Sequence, residues 1–165
     1  MPSIRDELCR FVRLFQERNG VMFDVALEQI DERFGDAVIP GLTECLKDDH
    51  PDVRYLAVQL LAAARPRSNV AVPVLIELMA DEDWTVVTSV MFHIGSFGPM
   101  AAAAIPQVEP WLENPNEYLR ILATTTIVKL DPSRTEFLPG IRVATLSDHP
   151  VVRSFARDFF DDPLA

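Results

Sequence analysis

Three histidines, two cysteines and three carboxylate clusters are the side chains here whose types suit acid–base, nucleophilic or metal chemistry. The carboxylates gather as Asp48-Asp49-Asp52, Asp81-Glu82-Asp83 and Asp158-Asp161-Asp162. A hard divalent cation needs regularly spaced oxygens around a glycine turn, and none of the three has that pattern. Acid at a helix start stabilises the positive end of the helix, which accounts for the first two clusters. The third falls at a helix end and reads as solvated. His50 and His149 lie in near-identical phrases, "DDHPDVRYLA" and "SDHPVVRSFA". Shared catalysis would require them to converge. The repeat described next separates them by three periods, about 30 Å at the ~10 Å spacing of packed helices. His93 falls on an apolar face and reads as a core histidine. Cys9 and Cys45 sit in helix-like segments and read as buried free thiols. There is no G-x-G-x-x-G, P-loop, H-E-x-x-H, C-x-x-C or G-x-S-x-G. No catalytic residue, metal ligand or cofactor is expected.

The elements that carry these residues repeat. Pro40, Pro73, Pro106 and Pro139 each follow an apolar residue, and each step is 33 residues. Three further columns keep the period without a gap: Leu42, Leu75, Val108, Ile141; then Val53, Val86, Leu119, Val152; then Ala57, Val90, Ala123, Ala156. Several independent columns in one register indicate an internal repeat. Proline suits the first position of a helix, where its missing N–H costs nothing. Apolar residues then follow at helical spacing, a polar turn such as "KDDHP" intervenes, and a second helix runs over about 52–64 with one apolar stripe. Each repeat therefore reads as helix, turn, helix, loop. Ahead of them, a helix is predicted from Ser3 to Glu17, ended at Asn19-Gly20. The pairs are placed at about 3–35, 39–66, 72–98, 105–131 and 138–162. Two helices alone cannot bury both apolar faces, but stacked neighbours can, so 1–165 reads as one all-α solenoid domain.

The phrases "IP-x-L-x-x-x-L" and "D-x-x-P-x-V-R-x-x-A-x-x-x-L" resemble the HEAT repeat, in the short bacterial form related to the phycobilisome-lyase-like repeats. The resemblance implies a right-handed superhelix whose second helices line a concave face. It also implies that the arginine of the "VR" pair bonds the turn aspartate: Arg54 with Asp48 or Asp49, and Arg153 with Asp148. Val87 takes the arginine's place in the third repeat, so that repeat is expected to be softer. Within the family, DNA glycosylases hold DNA in a basic groove, which this chain lacks, and bilin lyases attach a chromophore.

Charge narrows the partner. The net charge is −10, from 15 basic and 25 acidic residues, and residues 72–104 contain no Lys or Arg. Acidic surfaces repel phosphate backbones and anionic membranes, so neither nucleic acid nor membrane is expected. The apolar runs look too short to span a bilayer, no basic-then-apolar leader opens the chain, and a cytoplasmic location is expected. On the second helices the positions off the core stripe would give an apolar centre of Tyr55, Val58, Met91, Phe92, Ile121 and Val128. Asp24, Glu28 and Asp31 would flank it at one end and Asp158 at the other. Contiguous apolar surface marks interaction sites, so the expected function is a non-catalytic protein-binding scaffold for a peptide or protein with basic residues. If the phase is off by one residue, half of these positions become core instead. The alternative is an accessory subunit of an enzyme, including a lyase-like cofactor chaperone. Trp84 reads as packed over its own turn. Phe155, Phe159 and Phe160 could pack inward or join two copies of the chain.

Overall fold

The proline columns become helix starts and the alanine columns become contacts between helices. The structure, a computed structural model, describes residues 3–7, 9–10, 23–65 and 67–161, and of 23–26 the backbone alone. Among the described residues there is helix and turn and no strand. The chain divides into two compact units, Met1–His93 and Ile94–Ala165.

In the first unit, residues 4–7 and 9–10 are helical. Ser3 begins that segment through reciprocal bonds with Asp6: the Asp6 amide donates to Ser3 Oγ at 3.2 Å, and the Ser3 amide donates to Asp6 Oδ2 at 2.8 Å. Such a box satisfies donors that the first helical turn leaves open. Then come α1 (Phe23–Phe34), α2 (Val38–Cys45), α3 (Pro51–Ala63), α4 (Val72–Glu77) and α5 (Trp84–Ile94). Gly35, at φ 53°, supplies the left-handed residue that ends α1. Pro40 is the third residue of α2 and Pro73 the second of α4, slightly inside the first-position placement expected from sequence. The physics is unchanged, because none of the first four amides of a helix has an intrahelical acceptor. Leu42, Leu46, Leu60, Leu61 and Leu75 are fully buried and form this unit's core with Val53, Ala57 and Val86. Each such leucine contributes about 1.5–3 kcal/mol by leaving water.

The second unit holds α6 (Ile105–Val108), α7 (Glu117–Leu130), α8 (Leu138–Ala144) and α9 (Pro150–Asp161). After α6 the chain tightens into a 3-10 segment, Glu109–Glu113, where Pro110 has no amide to give an α-helical bond. Val128, Ile141, Ala144, Val152, Ala156 and Phe159 form one core cluster, with Tyr118, Ile121, Phe137 and Leu138 packed on it. The Ala57 column is buried throughout, as its small residues require. The Val53 column is buried except at Leu119, which is half-exposed.

Trp84–Glu113 is long and apolar enough by composition to cross a membrane, against the sequence expectation that no run is. It is not one straight helix. Gly98 sits at φ 63°, ψ −153°, which breaks it, and half of its most apolar window is buried inside the protein.

Candidate partner-binding surfaces

The turn between paired helices has one recurring design. At the column Asp48, Asp81, Asn114, Ser147, a side-chain oxygen accepts the amide two residues on: from His50 at 2.9 Å, Asp83 at 2.8 Å, Asn116 at 2.9 Å and His149 at 3.1 Å. Short polar side chains make such bonds readily. A second acceptor then caps the helix. His50 Nδ1 takes the Asp52 amide, Asp83 takes the Thr85 amide, and Asn116 takes the amides of Tyr118 and Leu119. In the second acidic cluster Asp83 itself caps the helix, whereas in the first Asp48 braces the turn and the cap is the His50 ring nitrogen.

The arginine column does not pair as the family resemblance implied. Arg54 Nη1 donates to the backbone carbonyls of Asp48 and Asp49, at 2.8 and 3.1 Å, not to their carboxylates. Its other edge, Nε and Nη2, grips both oxygens of Asp81 at 2.7 Å each. Asp81 lies in the next turn of the stack, 27 residues on. The Asp48 carboxylate is held by Arg5. The geometry explains the change of partner. An arginine on the first turn of the second helix lies under the turn's carbonyls, and the facing turn offers its carboxylate to the free edge. The third turn, expected to be soft because Val87 replaces arginine, is therefore anchored from the repeat before it. Arg153 Nη1 bonds the Ser147 carbonyl, and no ion pair joins it to Asp148 among the described residues. The pair with Asp81 raises the pKa of Arg54 above its ordinary value, with burial working against it.

Arg120 repeats half of this arrangement. Its Nη1 donates to the carbonyls of Asn114 and Pro115, at 2.7 and 2.9 Å. The residue 27 positions on is Ser147, whose hydroxyl donates to Glu117 at 3.0 Å. Among the described residues, nothing is bonded to Nε or Nη2 of Arg120. A cleft of about 660 Å³ surrounds Arg54 and Asp81, and one of about 800 Å³ surrounds Arg120 and Ser147. Sequence reading passed over Arg5, Asp81, Arg120 and Ser147 as partners. A signal was present: reading the columns 27 apart gives Arg54 with Asp81, Val87 with Asn114, and Arg120 with Ser147.

The second-helix map needs correction at three positions. Met91 is 0%, Val58 1% and Val128 6% exposed, so these are core and not surface anchors. The expected stripe of Val53, Leu56, Ala57, Leu60, Leu61 and Ala64 is buried, so the phase is right, but the buried arc is wider than the one read from α3 alone. In the first unit Tyr55 is half-buried and Phe92 is 48% exposed. In the second, Ile121 is half-buried and lines the Arg120 cleft. Glu28 and Asp158 are exposed. Asp31 is held by Arg67 Nη2 at 2.7 and 3.0 Å, which leaves it less free to attract a partner. The side chain of Asp24 lies outside what is described, and so does the whole of Asp162. Trp84 is 66% exposed, not packed over its turn. Of the phenylalanines in α9, Phe159 is buried in the core cluster, Phe155 meets Tyr118 edge-on at 5.6 Å, and Phe160 is 38% exposed beneath Arg142.

His93 is a core histidine. Its Nε2 lies 2.9 Å from Gln59 Oε1, and Gln59 donates onward to Ser89 at 2.9 Å. Burial, aided by Arg65, lowers its pKa to about 4. Cys45 is a buried free thiol whose pKa burial pushes up to about 11, while Cys9 is free and half-buried. Among the described residues, no group of His, Cys, Asp and Glu is placed to hold a metal ion.

Paired helices, capped turns and one register of buried columns define an all-α solenoid repeat protein. The family model of HEAT repeats matches residues 25–92 and 39–127. The two matches together run over 25–127, which is 103 of 165 residues, and the chain belongs to the HEAT-repeat family. No curated protein matches it. HEAT repeats commonly serve as protein-interaction scaffolds and are typically not enzymes.

Proposed function

We propose that this chain is a non-catalytic scaffold that grips a protein partner on the second-helix face of its first compact unit. The observation that carries the reading is Phe92, a large aromatic left 48% exposed on α5. By repeat register it shares a face with the half-buried Tyr55 of α3, since Phe92 occupies the column of Gln59, one helical turn after Tyr55. Aromatic side chains in partly enclosed positions supply most of the energy in protein interfaces. Glu28, exposed on α1, adds negative charge to that unit. It favours a partner with basic residues beside an apolar anchor, and such steering weakens as salt rises.

The test is capture from a native lysate, comparing wild type with the pair Tyr55→Ser and Phe92→Glu, followed by titration of the captured protein in purified form. Both sites reach solvent, so the double variant should keep its helical circular dichroism. At least tenfold weaker binding by the folded variant is expected, with affinity falling between low and physiological salt. Equal affinity for wild type and variant would remove this face as the binding surface.

A further inference from the structure

The two clefts are the same feature at two points of the repeat, and what differs between them identifies a ligand. Shifting by 66 residues maps Arg54 to Arg120, Glu77 to Val143, Ala80 to Leu146 and Asp81 to Ser147. Two things change together. The carboxylate that occupies the free edge of the guanidinium is gone, and two positions on the rim become large and apolar. Val143 is 71% and Leu146 78% exposed. Ser147 keeps the turn's own bond to the His149 amide, so the local fold does not require the missing carboxylate. Ser147 therefore differs from Asp81 in lacking the carboxylate that fills the guanidinium edge, while Glu117 stands at the position of Pro51.

We infer that the Arg120 cleft is a docking site for an aspartate side chain of a partner peptide, with an apolar residue next to it in sequence. The carboxylate takes the place on Nε and Nη2 that Asp81 takes on Arg54, as two parallel charge-assisted hydrogen bonds. The planar fork makes this arginine a carboxylate receptor where a lysine would be only a point charge. The adjacent apolar side chain covers Val143 and Leu146, which otherwise stand in water. Glu117 and Asp148 also line the cleft. They repel every carboxylate that enters, an acidic tract most, so a single acid held by the Arg120 fork beside an apolar residue is favoured over such a tract. That the acid belongs to a protein rests on the scaffold reading; the cleft's chemistry does not, since it lies apart from Tyr55 and Phe92 in sequence and in unit.

The experiment follows the Arg120 Nε–H signal in the full-length, nitrogen-15-labelled protein, assigned with Arg120→Lys. The probes are acetyl-Asp-Leu-amide, acetyl-Asn-Leu-amide and acetyl-Asp-Gly-amide. Asp-Leu should shift the signal saturably, with half-saturation at least tenfold below that of either other peptide. Ser147→Asp refills the site from within and should abolish the shift. Val143→Ser with Leu146→Ser alters only exposed side chains, so folding is not at stake, and should reduce Asp-Leu to the level of Asp-Gly. The inference is overturned if Asn-Leu shifts the signal as strongly, if the Asp-Leu shift survives Ser147→Asp, or if no peptide saturates it by tens of millimolar. Probe binding without any loss of capture in the Tyr55 and Phe92 variant would keep this site and discard the other face.

Discussion

Arg54 and Arg120 stand at the same position of the repeat and bond the same kind of turn, yet among the described residues a carboxylate pairs with Arg54 and none with Arg120. The side chains of Arg54 and Asp81 are 8% and 6% exposed, so their pair is a sealed joint between adjacent turns. Arg120 is half-exposed and, among the described residues, bonds two carbonyls and no carboxylate. One cleft therefore serves the fold and the other is left with unused binding capacity. A repeat architecture makes this division possible, because each turn is stabilised mostly by local bonds and one copy of a contact can lapse without unravelling the stack.

The largest effect expected from this contrast is on stability. Asp81→Ala strips both hydrogen bonds from the buried Nε and Nη2 edge of Arg54, with the exposed Glu82 carboxylate still 4.0 Å away, and losing one member of a buried pair costs about 3–5 kcal/mol. Arg120→Ala loses two bonds from a charged donor to turn carbonyls and should cost about 1–2 kcal/mol. Urea unfolding measures both, and amide exchange shows which unit opens. If the two substitutions cost the same, water already reaches Arg54 and the clefts are equivalent.

The next effect separates the units by pH. His93 has a folded pKa of about 4, below its ordinary 6.5. Between these values the unfolded chain binds the proton and the folded chain does not. Stability is therefore flat above pH 6.5 and falls as pH drops from 6.5 towards 4. At about 1.4 kcal/mol for each pH unit, the loss is roughly 3 kcal/mol. In the second unit the same column holds Thr126 and Phe159, which do not titrate there. Acid should loosen the first unit first, and His93→Gln should flatten that part of the profile. An unchanged slope between pH 6.5 and 4 in the variant would place the acid sensitivity in the carboxylates instead.

Sequence alone conveyed the helix pairs well and the surfaces poorly, for physical reasons visible in single columns. Leu42, Leu75, Val108 and Ile141 must all be apolar to fill one stacked core, and all are buried. A period of 33 was enough to find them. The expected family pairing of Arg54 named the right cation and the wrong acid, because a contact between neighbouring turns falls at a spacing of 27, and no single turn contains both partners. Val58, Met91 and Val128 were placed outside because the stripe was read from one helix. A second helix in a stack packs against neighbours on more than one side, so its buried arc is broader than that of a helix on a surface.

Loop geometry gives a smaller and sharper effect. Ser68 ties the loop after α3 by donating its buried hydroxyl to the Leu61 carbonyl at 2.6 Å. In the second unit the corresponding stretch turns at Gly98, at φ 63°, ψ −153°, a region open essentially to glycine alone. Gly98→Ala meets no neighbouring atom within 4 Å, so its cost is backbone strain only, about 1–3 kcal/mol. A thermal shift near zero would mean that the loop re-forms with another backbone path.

The smallest expected effect turns one cleft into the other. Ser147→Asp puts a carboxylate within reach of the Nε and Nη2 edge of Arg120 while keeping the oxygen that accepts the His149 amide. The new pair is half-exposed and stands near Glu117, which now takes a hydrogen bond from the Ser147 hydroxyl and would instead repel the new charge. The net gain should not exceed about 1 kcal/mol, as for other solvent-accessible pairs, and it should shrink in high salt. Calorimetry at two salt concentrations checks both parts. A gain that grows with Glu117→Gln would show that repulsion from Glu117 keeps this repeat from closing its own arginine. A loss of stability in both backgrounds would mean that the free edge of Arg120 is aimed away from the turn, and the likeness of the two clefts would then end at their backbones.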